Sequence, residues 1–390
     1  MSASGAESVA VAMSGGVDSS AAAALLVRSG ARVLGLTMKL WDCAEFAAAA
    51  AGSGACCSPA DAADAARTAK RLGAEHALVD LTGEFRRLVL EPFCREYAAG
   101  RTPNPCVNCN RLLKFGKLAD RAAAAGYPAL ATGHYARVRP DPEGEKGVRN
   151  LLCRAPKGPF RQKVPDPFFS LLRGESRRRD QSYFLAGLSQ EQLRRARLPV
   201  GGLGKEQVRA IAAELGLPAA AKRASQDFCF APDGHYQQAL ARYAPEALEP
   251  GPLVDSSGRR LGTHRGIGRY TIGQRRGLGL AAGRPLYVCR ILPGERAVVV
   301  GAERELYARG LLAAEVNWIP RPPEGPARCT VRVRHGGREV GAEVRPTADG
   351  GAEAVFDEPV RAVAPGQYAV FYSGERVLGG GFIERALEQD

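Results

Sequence analysis

A chain of 390 residues is too long for one ordinary domain; at about 150 residues per domain it divides into two or three, each able to bury its own core. With 45% hydrophobic and 24% charged residues, and no apolar run near the ~20 residues of a membrane helix, the composition excludes a helical membrane protein and a disordered one. The net charge of +13 is carried mostly by Arg, with no Lys after Lys222, and sets up a positive field that attracts a polyanion. The start, "MSASGAESVAVAMSGG", lacks a basic region followed by an apolar stretch, so no signal peptide is expected and a cytoplasmic location follows. Ten cysteines in such a chain are expected to be reduced thiols rather than a disulfide framework.

The first ~135 residues alternate short apolar runs with helical patterns, the signature of a parallel α/β sheet. "SVAVAM" (8–13), "RVLGLTM" (32–38), "HALVD" (76–80) and "PALATG" (128–133) read as buried strands. Helices are expected over 19–29 with Gly30 as the stop, and from the Ser58 cap with Pro59 at its first position to Gly73. Further helices are expected over 82–97, 108–125 and 205–215. Residues 140–179 are rich in Pro, Gly and Arg and read as a long surface excursion. Beyond about Phe230 the helical period fades. "GPLVDSSGRRLGTHRGIGRYTIGQRRGLGL" is Gly-rich and strand-like, and segments such as "CTVRVRHGGREVGAEV" predict hairpins of a small C-terminal β-barrel. The expected domains are 1–228, 229–297 and 298–390.

"AMSGGVDSS" follows the first strand and opens the first helix. A strand-to-helix turn aims several backbone N–H groups at one point, where the helix dipole also favours an anion. Gly15 and Gly16 permit close approach, Ser14 and Ser19 add hydroxyls, and Asp18 is placed to orient the turn or a magnesium ion. The loop has no lysine, unlike G-x-x-x-x-G-K-[ST]. It therefore suits cleavage between the α and β phosphates, with the terminal pair held as a unit.

"TPNPCVNCN" (102–110) holds Cys106 and Cys109 as a C-x-x-C pair. By itself the pair is compatible with half a zinc site, a redox disulfide, a nucleophile with a helper, or cluster ligands. A structural zinc site is disfavoured, because no second C-x-x-C or H-x-x-x-H completes it.

"SGGVDSS" resembles the loop of N-type ATP pyrophosphatases, which adenylate a carbonyl oxygen and release pyrophosphate. Within that superfamily the chain is similar to the bacterial tRNA-specific 2-thiouridylases over nearly its whole length. The resemblance rests on "GLTMKLWD", "AGRTPNPCVNCNRLLKFG", "ATGHYARV", "RDQSYFLAGL", "SQDFCF", "YTIGQRRGLGL" and "APGQYAVFY", in that order. It implies an adenine nucleotide alpha hydrolase-like α/β domain, a small mostly β central domain that binds tRNA, and a C-terminal β-barrel. It also implies ATP-dependent replacement of the C2 oxygen of the wobble uridine by sulfur.

The resemblance assigns Cys229 as the persulfide carrier and Cys109 as the second catalytic cysteine. ATP is expected on Ala12, Met13, Ser14, Gly15, Gly16, Val17, Asp18 and Ser19, with Met38 near the adenine, Gly133 near the nucleotide, and Mg2+. The tRNA anticodon region is expected on Asn104, Pro105, Cys106, His134, Arg179, Asp180 and Gln181, and on Arg334, His335 and Gln367 of the barrel. A sulfur-donor or relay protein is a further expected partner, and the chain is expected to be a monomer.

One position departs from the family pattern. Many members have Asp-x-x-Cys, where this chain has Cys106. A thiol, with a reference pKa of ~8.5 against ~3.9, cannot inherit the role of an aspartate unchanged. Cys106, Cys109 and Cys229 also make the number needed to hold a [4Fe-4S] cluster with one iron open for sulfide. Persulfide relay and cluster-bound sulfide are therefore both open at the level of sequence. Two rivals from other classes are a small-molecule adenylating ligase and a non-enzymatic RNA-binding module.

Overall fold

The computed structural model describes residues 6–41, 59–141, 168–217, 229–231, 236–281 and 283–388. Cys43, Cys56, Cys57 and Cys153, the Ser58 cap, residues 142–167 of the expected excursion and most of "SQDFCF" lie outside them. Among the described residues no helix is long and apolar enough to cross a membrane.

The N-terminal domain is built on five strands: β1 (Ser8–Ala12), β2 (Arg32–Lys39), β3 (Glu75–Asp80), β4 (Ala129–Ala131) and β7 (Ala196–Arg197). Their order is β3-β2-β1-β4-β7 and every pairing is parallel. β1 sits at the centre, with Val9, Ala10 and Val11 fully buried, which is why it reads as a continuous apolar run. The order reverses beside β1. The carboxyl ends of β1 and β4 thus flank the crevice in which open α/β sheets bind ligands.

Helix α1 (Val17–Arg28) crosses from β1, and its Ala21 to Ala24 run is buried against the sheet. Alanine supplies helix propensity and lets the helix approach closely. Helix α2 (Pro59–Arg71) and a long helix α3 (82–98) follow. Pro92 lies inside α3 and has no N–H to donate. The turn just before it, Arg86–Leu90, widens to π geometry, which keeps the helix continuous where the ladder loses a bond. Helix α4 (105–124) starts at Pro105 and is π-type over Cys109–Leu118.

The expected excursion over 140–179 is in part regular structure. β5 (Ala136–Asp141) and β6 (Phe168–Arg173) form an antiparallel hairpin, and β6 pairs with a strand of the C-terminal barrel. Helices α5 (Gln190–Arg195) and α6 (Lys205–Glu214) complete the domain, α6 lying on α1.

After helix α7 (Gln237–Tyr243), the central domain is a small sheet of β8 (Gly251–Val254), β9 (Arg260–His264), β10 (Tyr287–Leu292) and β11 (Ala297–Gly301), in the order β10-β11-β8-β9. β11 crosses the boundary expected at 297. The expected strand character of "YTIGQRRGLGL" is not found: 270–280 is a chain of turns with Gly273, Gly277 and Gly279 at positive φ, a conformation incompatible with a ladder.

The barrel strands are β12 (Tyr307–Trp318), β13 (Ala327–Arg332), β14 (Val340–Pro346), β15 (Ala352–Arg361), β16 (Tyr368–Ser373) and β17 (Arg376–Glu388). β12 pairs with both β15 and β17 and closes them into a six-stranded barrel around Leu311, Val331, Val344, Phe371 and Ile383. The N-terminal hairpin is appended through β6 on β17.

A buried charge network locks this junction. Arg173 is 2% exposed and binds both carboxylate oxygens of Glu339 at 2.7 and 2.6 Å, with its guanidinium 3.6 Å from the Tyr372 ring centroid. Arg332 contacts the same carboxylate. Burial pushes Glu339 up, but the Arg173 and Arg332 guanidiniums outweigh it and hold the carboxyl below its ordinary value. Stability from this depressed carboxyl is complete above an unfolded value of about 4.3 and lost as pH falls through the lower folded one. Glu339→Gln is therefore expected to cost roughly 2–3 kcal/mol at neutral pH, judged by denaturant midpoints. The gap to the wild type should close in acid as the wild type loses the same charge. A gap that persists unchanged in acid would contradict the ion-pair account.

Candidate functional site

The turn after β1 is held in place before any ligand binds. The Met13 amide donates to Leu36 O at 2.8 Å, and Thr37 Oγ1 donates to Met13 O at 2.9 Å, fastening the loop to β2. The Ser14 amide donates to Ser19 Oγ at 3.2 Å, and Ser19 Oγ donates to Gly16 O at 3.1 Å. Gly15 has φ +69°, and a Cβ there would lie 2.4 Å from Asp61 O on α2. Gly133, at the end of β4, lies flat on the first turn of α1: a Cβ would fall 2.6 Å from both Asp18 C and Ser19 N. The two strand ends of the crevice thus touch through glycine backbone, and Met38, the last residue but one of β2, is buried.

Asp18 is the electrostatic centre of the loop. Its carboxylate accepts the Tyr135 hydroxyl at 2.6 Å and Lys205 Nζ at 2.7 and 2.8 Å. Burial and the Asp18 carboxylate push the Tyr135 phenol far up, so it stays protonated as a donor. One carboxylate beside a phosphate loop fits a magnesium ion, which takes one or two carboxylates plus substrate phosphates.

The C-x-x-C pair opens α4. Cys109 is buried and Cys106 half-buried, with Val107 between them in the core. The Asn104, Asn108 and Asn110 side-chain carbonyls are buried acceptors with no protein donor among the described residues. The loop is tied to the barrel: the Thr102 amide donates to Pro365 O at 2.7 Å, and Gln367 Nε2 donates to Thr102 O at 2.9 Å. Cys229 packs on the same hydrophobic core as Cys109. Its neighbour Phe230 anchors there, edge-on to Phe93 at 5.1 Å and to Phe85 at 5.8 Å.

Among the described residues no group of three His, Cys, Asp or Glu is placed to hold a metal ion.

The expected tRNA residues divide. Arg179 and Arg334 are exposed. His134 is neutral: burial and then the Lys114 charge lower it well below the ordinary histidine value, and Nδ1 lies 2.7 Å from Thr132 Oγ1. The Asp180 side chain is buried and accepts from the Gly174 and Ser182 amides and the Ser182 hydroxyl, each at 3.0 Å. Gln181 Oε1 accepts the Tyr135 amide at 3.0 Å, and the His335 ring packs 4.3 Å from Phe184. These polar residues shape the segment around Arg179. Lys205 and Tyr135 escaped the sequence reading; nothing local to either signals the loop, which is 187 residues from Lys205.

The fold and loop define an adenylating α/β domain carrying two β domains. Family models describe the three parts as a tRNA methyl transferase HUP domain (residues 7–233), a tRNA methyl transferase PRC-barrel domain (237–302) and an aminomethyltransferase beta-barrel domain (308–383). The chain is 45% identical to the tRNA-specific 2-thiouridylase MnmA of Magnetococcus marinus, over 96% of this chain and 98% of that one. It is 45% identical to that of Pelobacter propionicus, over 98% and 99%. The chain belongs to the tRNA-specific 2-thiouridylase family.

The contact between strand ends makes a direct prediction. Gly133→Ala is expected to push the Asp18–Ser19 peptide off its position and weaken ATP binding by at least about tenfold, ~1.4 kcal/mol. Calorimetric titration with ATP checks it, and a variant of normal affinity would mean the loop yields freely.

Proposed function

We propose that this protein is an ATP-dependent tRNA-uridine 2-sulfurtransferase. The observation that carries the reading is the joint occurrence, within one family-length match, of a lysine-free phosphate loop, a C-x-x-C helix start and Cys229 on the same core. ATP, tRNA and a persulfide are the implied reactants.

A uridine C2 oxygen is a poor leaving group. Its attack on the α-phosphorus of ATP forms the C2–O–P bond, breaks the bond to the β-phosphate and releases pyrophosphate. The backbone amides of the loop and the α1 dipole stabilise the growing charge on that pyrophosphate. Asp18 would hold a magnesium ion, which neutralises phosphate charge. A Cys229 persulfide then attacks C2 through its terminal sulfur, and AMP leaves with the original oxygen. The Cys109 thiolate attacks the Cys229 sulfur, the S–S bond breaks, and 2-thiouridine departs. A Cys109–Cys229 disulfide remains, which an external thiol must reduce. Neutral His134 is a hydrogen-bonding group at this site rather than a cation. Asn104, Pro105 and Cys106 flank the base, with Arg179, Gln181, Arg334 and Gln367 on the RNA side. We assign the sulfur to an external donor or relay protein, and the enzyme to a cytoplasmic monomer.

Cys109→Ala and Cys229→Ala are each expected to abolish thiolation, a loss of at least about a thousandfold, while ATP and tRNA binding stay within about twofold. Mercury-affinity gels of tRNA from a complemented deletion strain read the loss directly. Normal thiolation with Cys229→Ala would overturn the assignment. Cys106→Asp, which restores the common family residue, is expected to stay active, and anaerobically purified active enzyme is expected to contain no stoichiometric iron. Iron and acid-labile sulfide in proportion to activity would instead favour the cluster route.

A further inference from the structure

A chain of hydrogen bonds reaches the phosphate loop from the edge of the sheet. His76 lies on β3, the outermost strand, directly opposite Gly35 of β2 in the parallel register. Gly35 has no side chain to bar its way: a Cβ there would fall 3.2 Å from His76 Cδ2 and 2.7 Å from Met13 Sδ. The imidazole leans across β2 through the space that Gly35 leaves, and its Nε2 comes within 2.9 Å of Thr37 Oγ1. Thr37 stands two residues further along β2, on the same face as Gly35. It is 2% exposed, and its hydroxyl donates its one hydrogen to Met13 O at 2.9 Å.

That hydrogen fixes the tautomer of the histidine. A hydroxyl whose hydrogen is committed to a carbonyl can only accept from a second partner, so His76 Nε2 carries the ring hydrogen and donates it to Thr37. Burial lowers His76 below the ordinary histidine value, which keeps the ring neutral with that single N–H. The opposite tautomer would draw the Thr37 hydrogen away from Met13. The Met13 carbonyl and the Ser14 N–H belong to one planar peptide, so holding the first aims the second. On its other side the same peptide is held by the Ser14 amide, which donates to Ser19 Oγ at 3.2 Å. We propose that His76 is a positioning residue for the triphosphate of ATP, acting through the Thr37 hydroxyl on the Met13–Ser14 peptide. The inference rests on the adenylating reaction above, in which negative charge grows on the departing pyrophosphate. Loop amides already aimed at that charge stabilise it without reorienting at the moment of reaction. His76 acts at second hand: it decides which way the Thr37 hydroxyl points, and Thr37 decides which way the first peptide of the loop points.

The test is a double-mutant cycle on the whole chain, read by titration with ATP in the presence of magnesium. Thr37→Val keeps the shape of the buried side chain without its hydroxyl and is expected to weaken ATP about tenfold, whereas Thr37→Ser should stay within about twofold of the wild type. His76→Leu is expected to weaken ATP about fivefold. His76→Gln, whose Nε2 can donate from the same place, should recover most of that loss. Because His76 works through the hydroxyl, the double variant Thr37→Val, His76→Leu should bind ATP no more weakly than Thr37→Val alone. Losses that multiply in the double variant, or normal ATP affinity in His76→Leu, would overturn the proposal. The wild type supplies a readout that needs no variant to fold: nitrogen-proton correlation spectra are expected to show His76 as the Nε2–H tautomer, and the Nδ1–H form would equally sink the idea. tRNA-stimulated pyrophosphate release by the wild type is followed alongside: its absence would count against the thiolation reading, whereas the ATP cycle and the tautomer judge His76.

Discussion

The site depends on one contact between two strand ends. Gly133 lies directly on the Asp18–Ser19 peptide, so the end of β4 and the first turn of α1 are a single rigid surface. A parallel sheet that reverses order beside its central strand always leaves a crevice there. Whether the crevice becomes a nucleotide site depends on how closely the two loops approach, and only glycine permits an approach this close. The Asp18 position, the Tyr135 hydroxyl and the reach of Lys205 all follow from the same placement.

The barrel is more than an appendage of the N-terminal domain. It receives a hairpin from the N-terminal domain, encloses Arg173 through Glu339, and grips the C-x-x-C loop at Thr102 through Pro365 and Gln367. Gly366 reinforces that grip. It has φ +88°, and a Cβ would meet the Thr102 backbone at 2.9 Å. The loop bearing both thiols is thus held from two sides, by its own helix start and by the barrel. Burying a bidentate ion pair gains little net stability over an apolar junction but fixes orientation, because few other geometries satisfy both groups.

The fold was legible where periodicity is local. The four parallel strands and their helices emerge within a few residues of expectation, because buried strands and capped helices carry their own signals. The barrel was legible as a run of hairpins. The β5–β6 hairpin was not, since its two strands lie on either side of a Pro- and Gly-rich stretch and β6 finds its outer partner, β17, some two hundred residues later. The turns over 270–280 misled in the opposite direction, being apolar enough for a strand but set by glycines that only turns accommodate. At the site, the loop and the thiols were legible because each is a contiguous motif. Lys205 and Tyr135 were not, because they act from other elements. Asp180 and Gln181 were legible as a motif but not as inward-facing groups, since a charged residue beside Arg179 reads as surface until burial is known.

Cys106 now stands in a sharper light. It sits one turn before Cys109 on a helix start whose flanking asparagine carbonyls have no donor among the described residues, while Cys229 packs on the same core as Cys109. A thiol in place of a carboxylate is a weaker acceptor and far less acidic. A mechanism that needed a permanent negative charge at this position would therefore fail in this chain. The proposed persulfide route needs none there, since the negative charge it uses would be on sulfur at Cys229 and then at Cys109. The substitution thus weighs against an obligatory carboxylate at position 106 in the proposed route.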